Sequence, residues 1–595
     1  MLSYRKLAMR VLGRPLHTGD SGSPRPASQR AAAFILTAIM LTSLTAPAFA
    51  KTWCIEDGNI TVKAGDTGND VTQKGETTYG DTDTIITNQN KDIASSNTVT
   101  IETNDKNDKV EVTLKDVNIN VGSDSGSALT SNGDVTLTLK GDNSLTGGNG
   151  GSGISSNGSL TITGGENDSL TAKGGSGRSG IFSSGGVTIS GGTVNATGGS
   201  SGSDSGDGIH SGSLTMKGGT VNAKGGSGAD GGSGIRTFSS GGVTISGGST
   251  VNATGGDASD KDASAGGSGI LIFGSGSLTV SDSTVTATGG NGCSGSYSDG
   301  GIGISSSSGG VTISGGTVTA TGGKSGSGDY SNGGNGISSS GSLSISGGTV
   351  TATAGSSSGS YGRDGITTSS SLTISGGTVT ANGGSGSYRG GSGISSSDIE
   401  LSGSLELTAK AGSPNGKALS QNGIELDPNT FKEKLDPGAN IITKDADGKV
   451  IDQVSSPRPV EPEGPVIPEE SSSSSDSGSS TPSADGGSAT PSAPASPLPG
   501  LTVTDKDGQR ISYTSIRGNN VLSIRAGRFT ASLHASLSTL RQLRAEGIDT
   551  ITFRTVLCST TLSVDELLAI GGEDTEVVLI HHIRSSTLTV GGKAV

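Results

Sequence analysis

From about Val112 to Leu401 the chain alternates apolar and polar residues in a unit that keeps returning. Its clearest copies are Val187-Thr-Ile-Ser-Gly-Gly-Thr-Val-Asn-Ala-Thr-Gly-Gly199 and Val311-Thr-Ile-Ser-Gly-Gly-Thr-Val-Thr-Ala-Thr-Gly-Gly323. In the first, Val187, Ile189, Val194 and Ala196 share one side while Thr188, Ser190, Asn195 and Thr197 share the other. That period of two predicts strands, not helices. The unit begins at Val135, Leu160, Val187, Leu214, Val243, Leu278, Val311, Leu343, Leu372 and Ile399, a spacing of about 27 residues. A third short strand is expected at the recurrent Gly-Ile, as at Ile154, Ile181, Ile209, Ile235, Ile270, Ile304, Ile337, Ile366 and Ile394.

Three strands and three turns per unit make one rung of a parallel β-helix. A lone rung cannot bury its few small side chains, whereas stacked rungs align Val on Val and Ile on Ile into a thin continuous core. The expected fold is therefore all-β, a right-handed parallel β-helix of about eleven rungs, near 50 Å long at roughly 4.8 Å per rung. The Gly-Gly pairs are expected at corners that need positive φ, with Thr, Ser and Asn in outward ladders.

The two ends read differently. Residues 1–50 look like an export signal: Arg5, Lys6, Arg10, Arg14, Arg25 and Arg30 precede the apolar run Ala31 to Leu44, and Ala48-Phe-Ala50 is a small-x-small cleavage site. The run is too short for a stable membrane span. Residues 51–110 are expected to cap the first rung, 111–456 to form the repeat domain with its closing cap, and 457–500, rich in Ser, Thr and Pro, to be a disordered linker. From Leu501 to Val595 a small α/β domain is predicted, with Leu533, Leu537 and Leu540 on one helical face, a capping box at Ser563-Val-Asp-Glu566 and a buried strand from Val577.

Composition alone, with 105 glycines and 29% hydrophobic residues, would suggest disorder, and only the order of residues overturns that. Removing the basic leader takes the formal charge from −14 to −19, which argues against nucleic acid as a partner and suits an extracellular, secreted or surface-associated location. Cys54, Cys293 and Cys558 are odd in number and far apart, and no cysteine metal site is expected.

The strings Val112-Thr-Leu-Lys-Asp-Val-Asn-Ile-Asn and Gly133-Asp-Val-Thr-Leu-Thr-Leu-Lys-Gly-Asp-Asn-Ser-Leu-Thr-Gly-Gly148, with the repeats that follow, resemble a family of secreted bacterial proteins carrying a carbohydrate-binding β-helix domain. The resemblance covers about Lys109 to Leu407. It implies a fold similar to polysaccharide lyases, a polysaccharide or glycan partner, and calcium as a ligand of some members. Few acids lie on the strands here, so calcium stays open.

Chemistry is expected in the loops between the Ala-Thr-Gly-Gly corner and the next Gly-Ile, which vary in length. Tyr297, Tyr330, Tyr361 and Tyr388 occupy four successive loops, with Asp299, Asp329 and Asp364 close by. Aligned along one edge, such rings offer flat faces to an extended glycan, and the acids could accept sugar hydroxyls. The plainer alternative has the rings pinning loops to the rod. A second constellation, Phe182, His210 and Arg236 with Asp204 and Asp207, raises a polysaccharide lyase with Arg236 as base. His581 and His582 alternate across a strand and are read as structural. The leading expectation is a non-catalytic, carbohydrate-binding or adhesin-like solenoid. Its rivals are a lyase-like enzyme and a passive rod that presents the C-terminal domain, whose partner the sequence does not name.

Overall fold

The computed structural model describes residues 51–103, 109–238, 240–259, 264–456 and 500–595, apart from 507, 512, 519, 527, 529, 556–558, 571–574, 583–585, 592 and 595. The leader, nearly all of the linker and Cys558 lie outside the described residues. The chain divides into two compact units, residues 1–464 and 465–595.

The first unit is an all-β parallel solenoid of about 15 turns. Its rungs stack in register: Val187 pairs with Leu214, Leu214 with Val243, Val243 with Leu278 and Leu278 with Val311. Val194, Val221, Val251, Val285 and Val318 form a second column, and Ile181, Ile209, Ile235, Ile270 and Ile304 a third. These side chains are 0–1% exposed, and one apolar cluster runs from Trp53 to Val454. Each such burial is worth about 1.5–3 kcal/mol, so repetition compensates for the low hydrophobic fraction.

The count exceeds eleven because the segment expected to be a cap is itself wound into the rod. Thr52–Cys54 pairs in parallel with Ile85–Thr87, which pairs with Val110–Lys115. Ile60–Ala64 pairs with Val99–Glu102, and that strand with Leu129–Asn132. These turns lack the Gly-Gly signature but keep the inward alternation. The end is closed by the antiparallel strands Asn69–Gln73 and Glu76–Asp81. At the other end a 3-10 helix, Pro428–Lys434, and the antiparallel pair Asn440–Lys444 and Val450–Ser455 finish the rod.

The two kinds of Gly-Gly pair are glycine for different reasons, which corrects the expectation of positive φ at both. In Ser-Gly-Gly the second residue is left-handed, with φ of 76° at Gly192, 81° at Gly316 and 82° at Gly348. In Thr-Gly-Gly the φ is not positive. There a Cβ on Gly323 would lie 1.9 Å from the carbonyl oxygen of Gly290 in the preceding rung. Close approach of backbones, not conformation, demands glycine at that corner.

The second unit has a five-stranded and a four-stranded sheet with two short helices, Leu537–Ala545 and Val564–Ile570. Leu533 belongs to the strand Ala531–Ser536 rather than to the helix, which starts after Ser536 caps the Thr539 amide. His581 is fully buried, within hydrogen-bond distance of Thr555 and Thr560, in a structural setting.

Candidate functional site

The variable loops leave the rod at Thr-Gly-Gly and return at Gly-Ile, and the close glycine contact governs both necks. Gly301 N donates to Gly290 O, Gly323 N to Gly301 O, Gly334 N to Gly323 O and Gly355 N to Gly334 O, each at 2.8 Å. The same zigzag descends through Gly267, Gly256, Gly232, Gly226 and Gly206 to Gly199. These bonds alternate between an outgoing and a returning glycine, so the loops from Gly199 to Gly334 are pinched shut at their bases and stacked on their neighbours. Glycine-rich sequence here means a clamped edge rather than a flexible one.

On that edge the four tyrosines stand exposed: Tyr297 61%, Tyr330 62%, Tyr361 46% and Tyr388 75%. They form two pairs instead of one row. Tyr297 and Tyr330 stack with centroids 5.2 Å apart and planes 12° apart, while Tyr361 and Tyr388 meet edge to face at 5.7 Å and 67°. No ring contact joins Tyr330 to Tyr361, because the loop after Ala352 is shorter and shifts register. Stacked rings cover each other's inner faces. The first pair therefore offers its two outer faces and its hydroxyl edge, not the continuous platform expected from sequence.

Tyr297 and Tyr330 are also left-handed, with φ of 59° and 61°. The conformation is stitched by Tyr297 N to Asp329 O at 3.0 Å and Ser298 N to Ser331 Oγ at 2.9 Å. A bulky residue there costs about 1 kcal/mol, and these rings gain little burial in return.

The acids behave differently from the expectation. Asp299 accepts from Asn332 N at 2.7 Å and from its side-chain amide at 3.0 Å, and Arg363 approaches it at 3.9 Å. Asp364 accepts from Ser392 N at 2.6 Å, and burial pushes its carboxyl above the ordinary value against the pull of that amide. Both clasp the next rung, as Asp207 and Asp257 do with Ser233 N and Asn291 N. Asp329 is exposed and serves the edge through its main-chain carbonyl. Asn332 and Arg363 were missed because nothing in their spacing shows which carboxylate they reach.

The second constellation also forms. Phe182, His210 and Arg236 are in register on consecutive rungs. Asp207 Oδ2 lies 3.2 Å from His210 Nδ1, whereas Asp204 is exposed on a separate small strand pair with Asp230. Burial raises Asp207 to about 6 and lowers His210 to about 4. Phe238 and Phe273, three residues after Ile235 and Ile270, complete the cluster. That shared offset was the overlooked signal. Among the described residues no group of three or more His, Cys, Asp or Glu converges as a metal-holding cluster.

A family model for the beta helix repeat matches residues 187–213, 343–363 and 372–398. With the stacked rungs, these matches support a β-helix repeat protein. No curated protein and no solved structure matches the chain. Among the described residues no helix of the β-helix repeat protein is long and apolar enough to cross a membrane.

Proposed function

We propose that this β-helix repeat protein is a secreted, non-catalytic binding rod that holds an extended glycan along its tyrosine edge. One observation carries the reading: Tyr297 and Tyr330 keep a conformation suited to glycine while leaving their rings about 60% exposed. Folding alone would favour Gly or Asn there, so the ring earns its place at the surface. The outer faces of the stacked pair, with Tyr361 and Tyr388 further along, suit the apolar faces of successive sugars. Contacts this weak act together only along a chain.

A glycan array tests it. Extended polysaccharides should bind, short fragments should not, and Tyr330→Ala should weaken binding several-fold with little change in melting temperature. A tyrosine variant that loses stability while binding persists makes the rings loop pins and overturns the reading.

A further inference from the structure

In the outward column Ser155, Phe182, His210, Arg236, Leu271, Ser305, the small hydroxyl residues of the rod give way to large side chains for four rungs. Phe182 and Phe238 lie nearly parallel, 13° apart with centroids at 6.5 Å, and His210 stands edge-on to them at 5.6 Å and 5.1 Å. Asp207, only 7% exposed, approaches His210 Nδ1 with one oxygen and takes the Ser233 amide with the other. The carboxylate oxygen beside Nδ1 favours the ring proton there, and burial keeps the imidazole neutral, so Nε2 is the nitrogen able to accept.

Arg236 follows in the next rung, its guanidinium carbon 5.9 Å from the centroid of the exposed Phe273 ring. Its Nε is buried and has no hydrogen-bond partner; Asp207 feels its charge, but no described carboxylate comes within ion-pair distance of it. Arg363, by contrast, reaches Asp299 across two rungs, at 3.9 Å. An orphaned guanidinium donor buried beside aromatic rings calls for a planar anion with two oxygens.

The geometry points to a subsite for a carboxylate-bearing pyranose, a uronate unit of a glycan. Arg236 holds the carboxylate, His210 Nε2 accepts a ring hydroxyl, and the phenylalanine rings bound the apolar face of the sugar. The inference rests on the glycan-binding reading and adds the acidic sugar. The subsite ends at Phe273, whose strand Ile270–Ile272 pairs with Ile304–Ser306, the strand that the first tyrosine loop leads into.

The test is calorimetric titration of the full chain with oligogalacturonate and oligoglucuronate, and with the same oligosaccharides after reduction of their carboxyl groups to alcohols. Reduction should weaken binding at least tenfold. Arg236→Gln should abolish that preference and Arg236→Lys should keep part of it, with circular dichroism melting confirming that both fold. Tyr330→Ala should weaken acidic and reduced forms alike. Equal binding of acidic and reduced forms overturns the subsite, as does an intact preference in Arg236→Gln or a preference for sulfated over carboxylated sugars. If the chain takes neutral glycans only, the acid subsite falls and the tyrosine edge stands; if it takes neither class, both fall.

Discussion

Gly323 and Tyr330 belong to the same loop and reverse each other's logic. Gly323 has an ordinary backbone conformation yet has no room for a Cβ, whereas Tyr330 has the conformation of a glycine yet carries a ring into solvent. At the neck, identity is dictated by the rung beneath, whose carbonyl occupies the space. At the tip, packing dictates very little, and the residue kept there has to be explained by what it meets outside the fold. Within one loop the transition from structural to functional demand takes only seven residues.

The largest effect expected from this contrast is at the neck. Gly323→Ala must displace the Gly290 carbonyl, and in a stack of rungs that displacement propagates, so a loss of about 4 kcal/mol is expected. Calorimetry of the full chain, following the solenoid transition, measures it. A loss below about 1 kcal/mol would mean that the necks yield and that the contrast with the tips is false.

Asp364 tests where the neck ends. Its carboxylate clasps Ser392, and burial raises its folded value above the ordinary 3.8. A raised folded value means that its contribution is complete below the unfolded value and declines as pH rises through the folded one. Asp364→Asn keeps an acceptor without the titration, so it should gain on the wild type as pH rises from 4 to 7. Asp364→Ala, with the Ser392 amide left unpaired, should cost about 1–2 kcal/mol. Urea unfolding at pH 4 and pH 7 separates the two, and a pH-independent difference would return Asp364 to the sugar-contact role.

The smallest effect belongs to the tip. Tyr330→Gly relieves about 1 kcal/mol of backbone strain and gives up a stacking contact of about 1 kcal/mol, so stability should be nearly unchanged. Glycan binding should fall at the same time. A clear drop in melting temperature would place Tyr330 with the neck glycines.

Most of the solenoid was legible because its signals are local and repeated. The alternation of Val187, Ile189, Val194 and Ala196 names the inward face, and the same columns appear in the structure at full burial. The early turns were missed because Ile60, Ile86, Val99 and Ile101 carry the alternation without the glycine punctuation. At the edge the sequence located the rings and acids, but it could not show how they group.

What the order of residues determined by itself is the rung: period two for the strands, small apolar side chains inward, and a turn after each strand. Those demands act within a few bonds and need no knowledge of neighbours. Tertiary structure alone decided which glycines are conformational and which are steric, since the steric ones face a carbonyl a whole rung away in sequence. It also decided that Asp299 and Asp364 clasp backbone, that the tyrosines pair two by two, and that the Arg236 Nε is left without a hydrogen-bond partner. Each of these depends on register between loops of unequal length, and register across a stack is a property of the assembled rungs rather than of any one of them.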